Sequence, residues 1–144
     1  EGEAIRRDLL NACGTIRKAL GEVSTRAPKV VEQYHDRLKT RVETLLQAVE
    51  IELDADGLMR EVAIFAERCD ISEEVARLHS HLDQFTQLCD RGEQVGRTLD
   101  FLTQEMLREA NTIAAKANDS AIARNIVEIK GSIDRLKEQV QNVE

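Results

Sequence analysis

Gly96–Asp119, GRTLDFLTQEMLREANTIAAKAND, decides how this chain is read. Its apolar residues Leu99, Leu102, Met106, Ala110, Ile113 and Ala117 recur at three- and four-residue steps, which places them along one side of a helix. The opposite side carries Arg97, Asp100, Gln104, Arg108, Asn111, Thr112 and Asp119, with Glu105, Glu109 and Lys116 on its shoulder. A solvated helix face mostly carries interchangeable Lys and Glu. This one mixes amides, arginines and carboxylates, the groups that hydrogen-bond phosphates or hold a hard cation. An ordinary solvated face is the competing reading, and composition alone favours it.

The same spacing extends outward. Upstream, Ile71, Val75, Leu78, Leu82, Phe85 and Cys89 form a regular seam, and Asp70 with Glu73 three residues on resembles a capping box. Asp90–Val95, with Gly92, reads as the loop between these helices. Downstream, Asn118–Ser120 gives a cap signal, and Ile122, Ile126, Ile129, Ile133, Leu136, Val140 and Val143 make the last seam. Near the start, Leu9, Cys13, Ile16, Leu20 and Val23 step by 4, 3, 4 and 3. Ser24–Pro28 reads as a break, with Pro28 in the first turn of a second helix. There Val31, Leu38 and Leu45 repeat every seven residues, as do His35, Val42 and Val49, so residues 1–53 are expected to form a helical hairpin. Asp54–Gly57 is a polar break from which Asp54 or Asp56 caps a helix reaching about Cys69.

Six helical segments and no strand alternation predict an all-α fold: long antiparallel helices in a bundle with heptad-like seams. Such seams also suit a second copy of the chain. A helical pattern already running by Ile5 suggests that the sequence begins inside a larger protein.

The 144 residues suffice for one domain with a real core, and 42% hydrophobic with 33% charged residues is a globular, helix-rich balance. No run approaches the length of a membrane span, and no leader pattern opens the chain. Cys13, Cys69 and Cys89 are odd in number and lack paired spacing, which argues against a disulfide framework or zinc site and fits buried thiols in a reducing cytoplasm. Net charge is −7, so RNA or DNA contact needs a local basic patch or a cation. Within residues 91–116, Arg91, Arg97, Arg108 and Lys116 balance Glu93, Asp100, Glu105 and Glu109. Four aromatics, Tyr34, Phe65, Phe85 and Phe101, make no evident stacking platform for bases.

On the helix before the loop, Glu74, Arg77, His81 and Gln84 share one border of the apolar seam, with Glu73 just beyond. Glu105 and Glu109 lie one turn apart on the next helix. A hairpin between the two would turn both flanks into one groove. Carboxylates there can bind Mg²⁺ or Mn²⁺, arginine can position a phosphodiester, and His81 can move a proton. A hydrogen-bonded network that only fixes helix register is the rival account. His79 points elsewhere and His35 falls in a seam, so both read as structural. No nucleophile elbow, phosphate-binding glycine loop or HExxH motif is present.

Three runs, DISEEVARLHSHLDQF (Asp70–Phe85), GEQVGRTLDFLTQEMLREANTIAAKAND (Gly92–Asp119) and IKGSIDRLKEQVQNVE (Ile129–Glu144), strongly resemble the carboxy-terminal part of the bacterial YicC family, also called YloC. RAPKVVEQYHDRLKTRVETLL (Arg26–Leu46) is similar to the helical stretch that precedes it there. Two departures stand out: Ala114-Ala115 where Gly-Ser is expected, and Leu107 where a polar residue is expected. The resemblance implies a single-strand-directed endoribonuclease that needs a divalent metal, Mg or Mn, and assembles into rings such as hexamers, with RNA as partner. It also implies a carboxy-terminal helical domain over residues 54–144, which the hairpin of residues 1–53 links to an amino-terminal domain that this sequence does not contain. With the groove, it makes His81, Glu74, Glu105 and Glu109 the catalytic candidates. Glu105, Glu109 and Asp100 are the metal candidates. Arg77, Gln84, Arg97, Gln104, Arg108, Asn111 and Lys116 are the candidates for gripping RNA phosphate. The alternative is a non-catalytic module for oligomerisation or RNA clamping, with the chemistry in the amino-terminal domain.

Overall fold

The computed structural model describes residues 2–91 and 96–143. It contains five helices: α1 (Gly2–Gln47), α2 (Ala55–Arg68), α3 (Ser72–Arg91), α4 (Gly96–Ala117) and α5 (Ser120–Val143). The described residues contain no strand, as the apolar spacing predicts.

Four helices form the body. Arg6 pairs with Asp90, and Arg17 with Asp83 at 2.8 Å, so residue numbers rise on α1 as they fall on α3 and the two are antiparallel. Likewise Lys116 meets Glu74 and Arg77 meets Glu109, which makes α3 and α4 antiparallel. Helix α5 returns along α4 and packs most extensively on α1. Leu9, Cys13, Ile16, Leu20 and Val23 of α1, Leu78, Leu82 and Phe85 of α3, and Leu99, Leu102, Met106, Ala110 and Ile113 of α4 are all buried. The α5 seam from Ile122 to Val140 is buried throughout, while the side chain of Val143 lies outside the described residues.

The expected hairpin within residues 1–53 does not form. Helix α1 runs unbroken through Pro28 for 46 residues, a rod of roughly 70 Å at 1.5 Å per residue. Pro28 lacks the N–H that the Ser24 carbonyl would accept, and this local loss predicted a break. Packing overrides it, because Val23 and Val30 are buried on either side of the proline. Beyond the body, α1 continues as an arm on which α2 folds back, with Tyr34 and Phe65 stacked at 3.8 Å between ring centroids. Along this arm Leu45, Val49, Ile51 and Met59 remain exposed. Replacing Pro28 by Ala is expected to stabilise the chain by about 1–2 kcal/mol, less than the full helix-interior penalty because proline also restricts the unfolded chain. A lowered urea midpoint would show instead that the proline sets the angle at which the arm leaves the body.

Two smaller corrections concern helix ends. Asp70 accepts from the backbone N–H (3.0 Å) and hydroxyl of Ser72 rather than forming a capping box with Glu73. Asp90 and Arg91, expected in the loop, belong to α3; residues 92–95, including Gly92 and Glu93, lie outside the described residues.

Candidate functional site on the α3–α4 flank

Antiparallel packing turns two polar stripes toward each other. Helix α3 contributes Glu74, Arg77 and His81 at steps of three and four, and α4 contributes Glu105, Glu109 and Lys116 at steps of four and seven. Glu109 Oε2 accepts from Arg77 Nε at 2.9 Å, and Glu74 Oε2 accepts from Lys116 Nζ at 2.9 Å. Both carboxylates are buried, with side chains 8% and 6% exposed, while their cationic partners keep 49% and 39%. Each pair thus has a shielded acid and a base open to solvent. Arg77 also lies 3.5 Å from Glu73, one turn back.

Burial pushes the Glu74 carboxyl up, but the Lys116 hydrogen bond, its own backbone N–H and the charges of Lys116 and Arg77 together outweigh it, so the group titrates below its usual value. It stays ionised with one oxygen in use. Its Oε1 is buried and lacks a hydrogen-bond partner among the described residues, and so does Nδ1 of the half-buried His81. Buried polar atoms without partners are uncommon, and each calls for an explanation.

The structure therefore gathers Glu74, Arg77, His81, Glu109 and Lys116 along one flank, with half-buried Glu105 a turn from Glu109. The other candidates lie elsewhere. Asp100 is nine residues from Glu109, two and a half turns, so it projects from the far side of α4, where Oδ2 accepts from Gln104 Nε2 at 3.0 Å. Arg97, Arg108 and Asn111 are exposed and sit roughly 100–160° around α4 from Glu109. Gln84 is exposed and donates to Ser80 Oγ at 3.3 Å. Among the described residues no three His, Cys, Asp or Glu side chains could hold one metal ion. The expected set of Glu105, Glu109 and Asp100 does not fit a cation within one chain, because Asp100 faces away and Glu109 is neutralised by Arg77.

Sequence reasoning missed the pairing of Arg26 with Asp119, 93 residues apart and bidentate at 3.1 and 3.0 Å. Asp119 lies beyond the end of α4 and caps α5, as the Asn118–Ser120 signal indicates, its Oδ2 accepting from Ile122 N–H at 3.1 Å. Cys13, Cys69 and Cys89 are free, and burial pushes each thiol up, Cys89 to about 11, which disfavours the thiolate.

With this geometry in place, comparison with known proteins is decisive about kinship. Residues 23–144 match the family described as "Endoribonuclease YicC-like, C-terminal". The chain belongs to that family. The "Probable endoribonuclease YicC" of Clostridioides difficile (strain 630) is 36% identical over 144 residues, covering all of this chain and 49% of that protein. The protein of the same description from Haemophilus influenzae is 33% identical over the same span, again 49% of its length. The chain spans about half the length of the curated relatives it matches. The YicC-like match begins at Val23, inside α1, so it takes in the arm as well as α2–α5. No helix of the described residues is long and apolar enough to cross a membrane.

Proposed function

We propose that residues 1–144 are the carboxy-terminal helical region of an endoribonuclease acting on single-stranded or hairpin RNA, and that the α3–α4 flank takes part in phosphodiester hydrolysis. The observation that carries this reading is the shielded, unpartnered Nδ1 of His81 beside two cross-helix acid–base pairs. A network that served only to fix register would satisfy its buried atoms. Arg77 and Lys116 are the half-exposed members of their pairs and are placed to meet an incoming phosphate, Arg77 with a planar fork and Lys116 as a point charge. Imidazole gives and takes protons at neutral pH, so His81 moves the proton of the attacking or leaving oxygen. Glu74 and Glu109 hold the two cations in place and keep the flank near neutrality. The divalent cation implied by the family resemblance would supply Lewis-acid activation. It would draw ligands from RNA phosphate oxygens or from beyond this chain, with Glu105 the nearby carboxylate for which the described residues provide no ion pair.

The test uses the longer protein containing this chain and a defined RNA hairpin. His81→Ala is expected to lower the cleavage rate about a hundredfold or more, while Arg77→Lys raises KM by weakening bidentate phosphate contact. Unchanged cleavage by both variants sinks the assignment, and a chelator arm reports the metal separately.

One feature supports a second reading, an assembly module that forms a homo-oligomer such as a hexamer. The arm exposes Leu45 at 65%, Val49 at 59% and Ile51 at 61%, apolar surface of the kind that copies of a chain bury against each other. Light scattering of the fragment beside its RNA affinity separates the readings: an oligomer with no affinity for RNA favours the second.

A further inference from the structure

A cleft of about 710 Å³ opens where the arm meets the α4–α5 corner. Arg37 of α1, Arg68 in the last turn of α2 and Lys116 in the last turn of α4 all line it. They bring three cations together from three helices in a chain whose net charge is −7. Asp119 is the sole carboxylate in the described lining, and its charge is already matched by the bidentate bond to Arg26. The described residues give Arg37 and Arg68 no ion pair, and both are exposed. Lys116 is matched by Glu74, so Arg37 and Arg68 are the like charges that repel across the cleft, and a polyanion entering it removes that repulsion.

Lys116 joins this cleft to the α3–α4 flank, since it lines the cleft while its Nζ bonds Glu74. A ligand touching all three cations therefore reaches the flank as well, which suits a strand with successive phosphates better than an isolated anion. We propose that the α4–α5 corner is a phosphate-backbone subsite, where Arg37 and Arg68 hold a single RNA strand whose next phosphates reach Lys116 and Arg77. This inference rests on the RNA-directed reading above for the nature of the ligand, and it requires no cleavage.

The experiment is fluorescence anisotropy of a labelled single-stranded oligoribonucleotide with the 144-residue chain, in chelator, over a salt series. The Arg37→Glu/Arg68→Glu double variant is expected to bind about tenfold or more weakly, and to reduce the slope of log affinity against log salt by roughly 1.4 for two lost phosphate contacts. Arg37→Gln/Arg68→Gln should show the same direction with a smaller loss, and Arg37→Lys/Arg68→Lys should retain most affinity. Circular dichroism confirms that the variants remain helical. Unchanged RNA affinity in the charge-reversed protein overturns the subsite, as does an unaltered chain that fails to bind RNA at low salt. Competition by inorganic phosphate or AMP as effective as that by unlabelled strand overturns the strand in favour of a lone-anion site. Binding that depends on both arginines, together with cleavage indifferent to His81→Ala, removes the catalytic assignment and leaves the subsite standing.

Discussion

Asp119→Ala is expected to lower the stability of the chain by about 2–4 kcal/mol, although the residue lies at a surface corner. Two functions are lost together. The carboxylate caps α5 through Ile122 N–H, and loss of such a cap costs about 0.5–2 kcal/mol. It also accepts both Arg26 bonds, and a hydrogen bond to a charged group contributes about 1.5–3 kcal/mol when shielded, as this carboxylate is at 11% exposure. Asp119→Asn can keep the cap while losing the charge, so it should fall about halfway. The Arg26 hydrogen bond holds the Asp119 carboxyl below its ordinary 3.8, against opposing burial and with help from the Ile122 N–H. A depressed native value means the extra stability is complete above the unfolded value and disappears as pH falls through the native one. The gap between the native protein and the Asn variant should therefore be constant from pH 7 to about 5 and close below about pH 4. Urea unfolding at pH 7, 5 and 3 measures it. An undiminished gap at pH 3 would exclude the ion pair as its source. Comparing the two proteins is necessary because Glu74, also depressed, weakens both in the same acid window.

The body was legible because burial follows periodicity: the apolar steps from Leu9 to Val23, in α3, in α4 and in α5 are the buried seams. Pro28 reads as a break because the penalty for a helix-interior proline is local, whereas Val23 and Val30, on either side of it, belong to the shared hydrophobic core. The heptad of Val31, Leu38 and Leu45 was visible, but its period does not say whether this chain covers it; Leu45 is left 65% exposed. At the site, helical phase alone put Glu74, Arg77 and His81 on one stripe. It also contained the objection to Asp100 as a co-ligand of Glu109, since nine residues amount to a half-turn offset. What phase cannot give is the register between α3 and α4. That register makes Glu109 the partner of Arg77 and Glu74 that of Lys116, 32 and 42 residues away, and so turns expected free carboxylates into neutralised ones. Arg37 and Arg68 carried no local signal, because their cleft exists only once the arm folds back.

Phe85 and Phe101 are alike in sequence terms and should behave oppositely. Phe85 is fully buried on the α3 seam, one turn beyond His81, whereas Phe101 is 57% exposed on α4. Truncating a buried phenylalanine removes its transfer free energy and leaves a cavity that a close-packed bundle only partly closes, so Phe85→Ala should cost about 3–5 kcal/mol. That is a large share of the roughly 5–15 kcal/mol that stabilises a typical domain, and it lowers the melting temperature by about 10 °C in a chain of this size. Phe101→Ala should stay within about 0.5 kcal/mol. Thermal and urea unfolding of both variants tests the pair, and equal losses would mean that α3 does not pack as described. The comparison also bears on the flank. Helix α3 is held against both α1 and α4, and it carries Glu74, Arg77 and His81. A cavity at Phe85 loosens the seam that sets its register, so under the proposed function RNA cleavage by the longer protein carrying Phe85→Ala should decline even at temperatures where it remains folded. The longer protein carrying Phe101→Ala, with its seam untouched, should on the same reading cleave at the unaltered rate. A Phe85→Ala protein that is destabilised yet fully active would show that the chemistry does not depend on the alignment of α3 with α4.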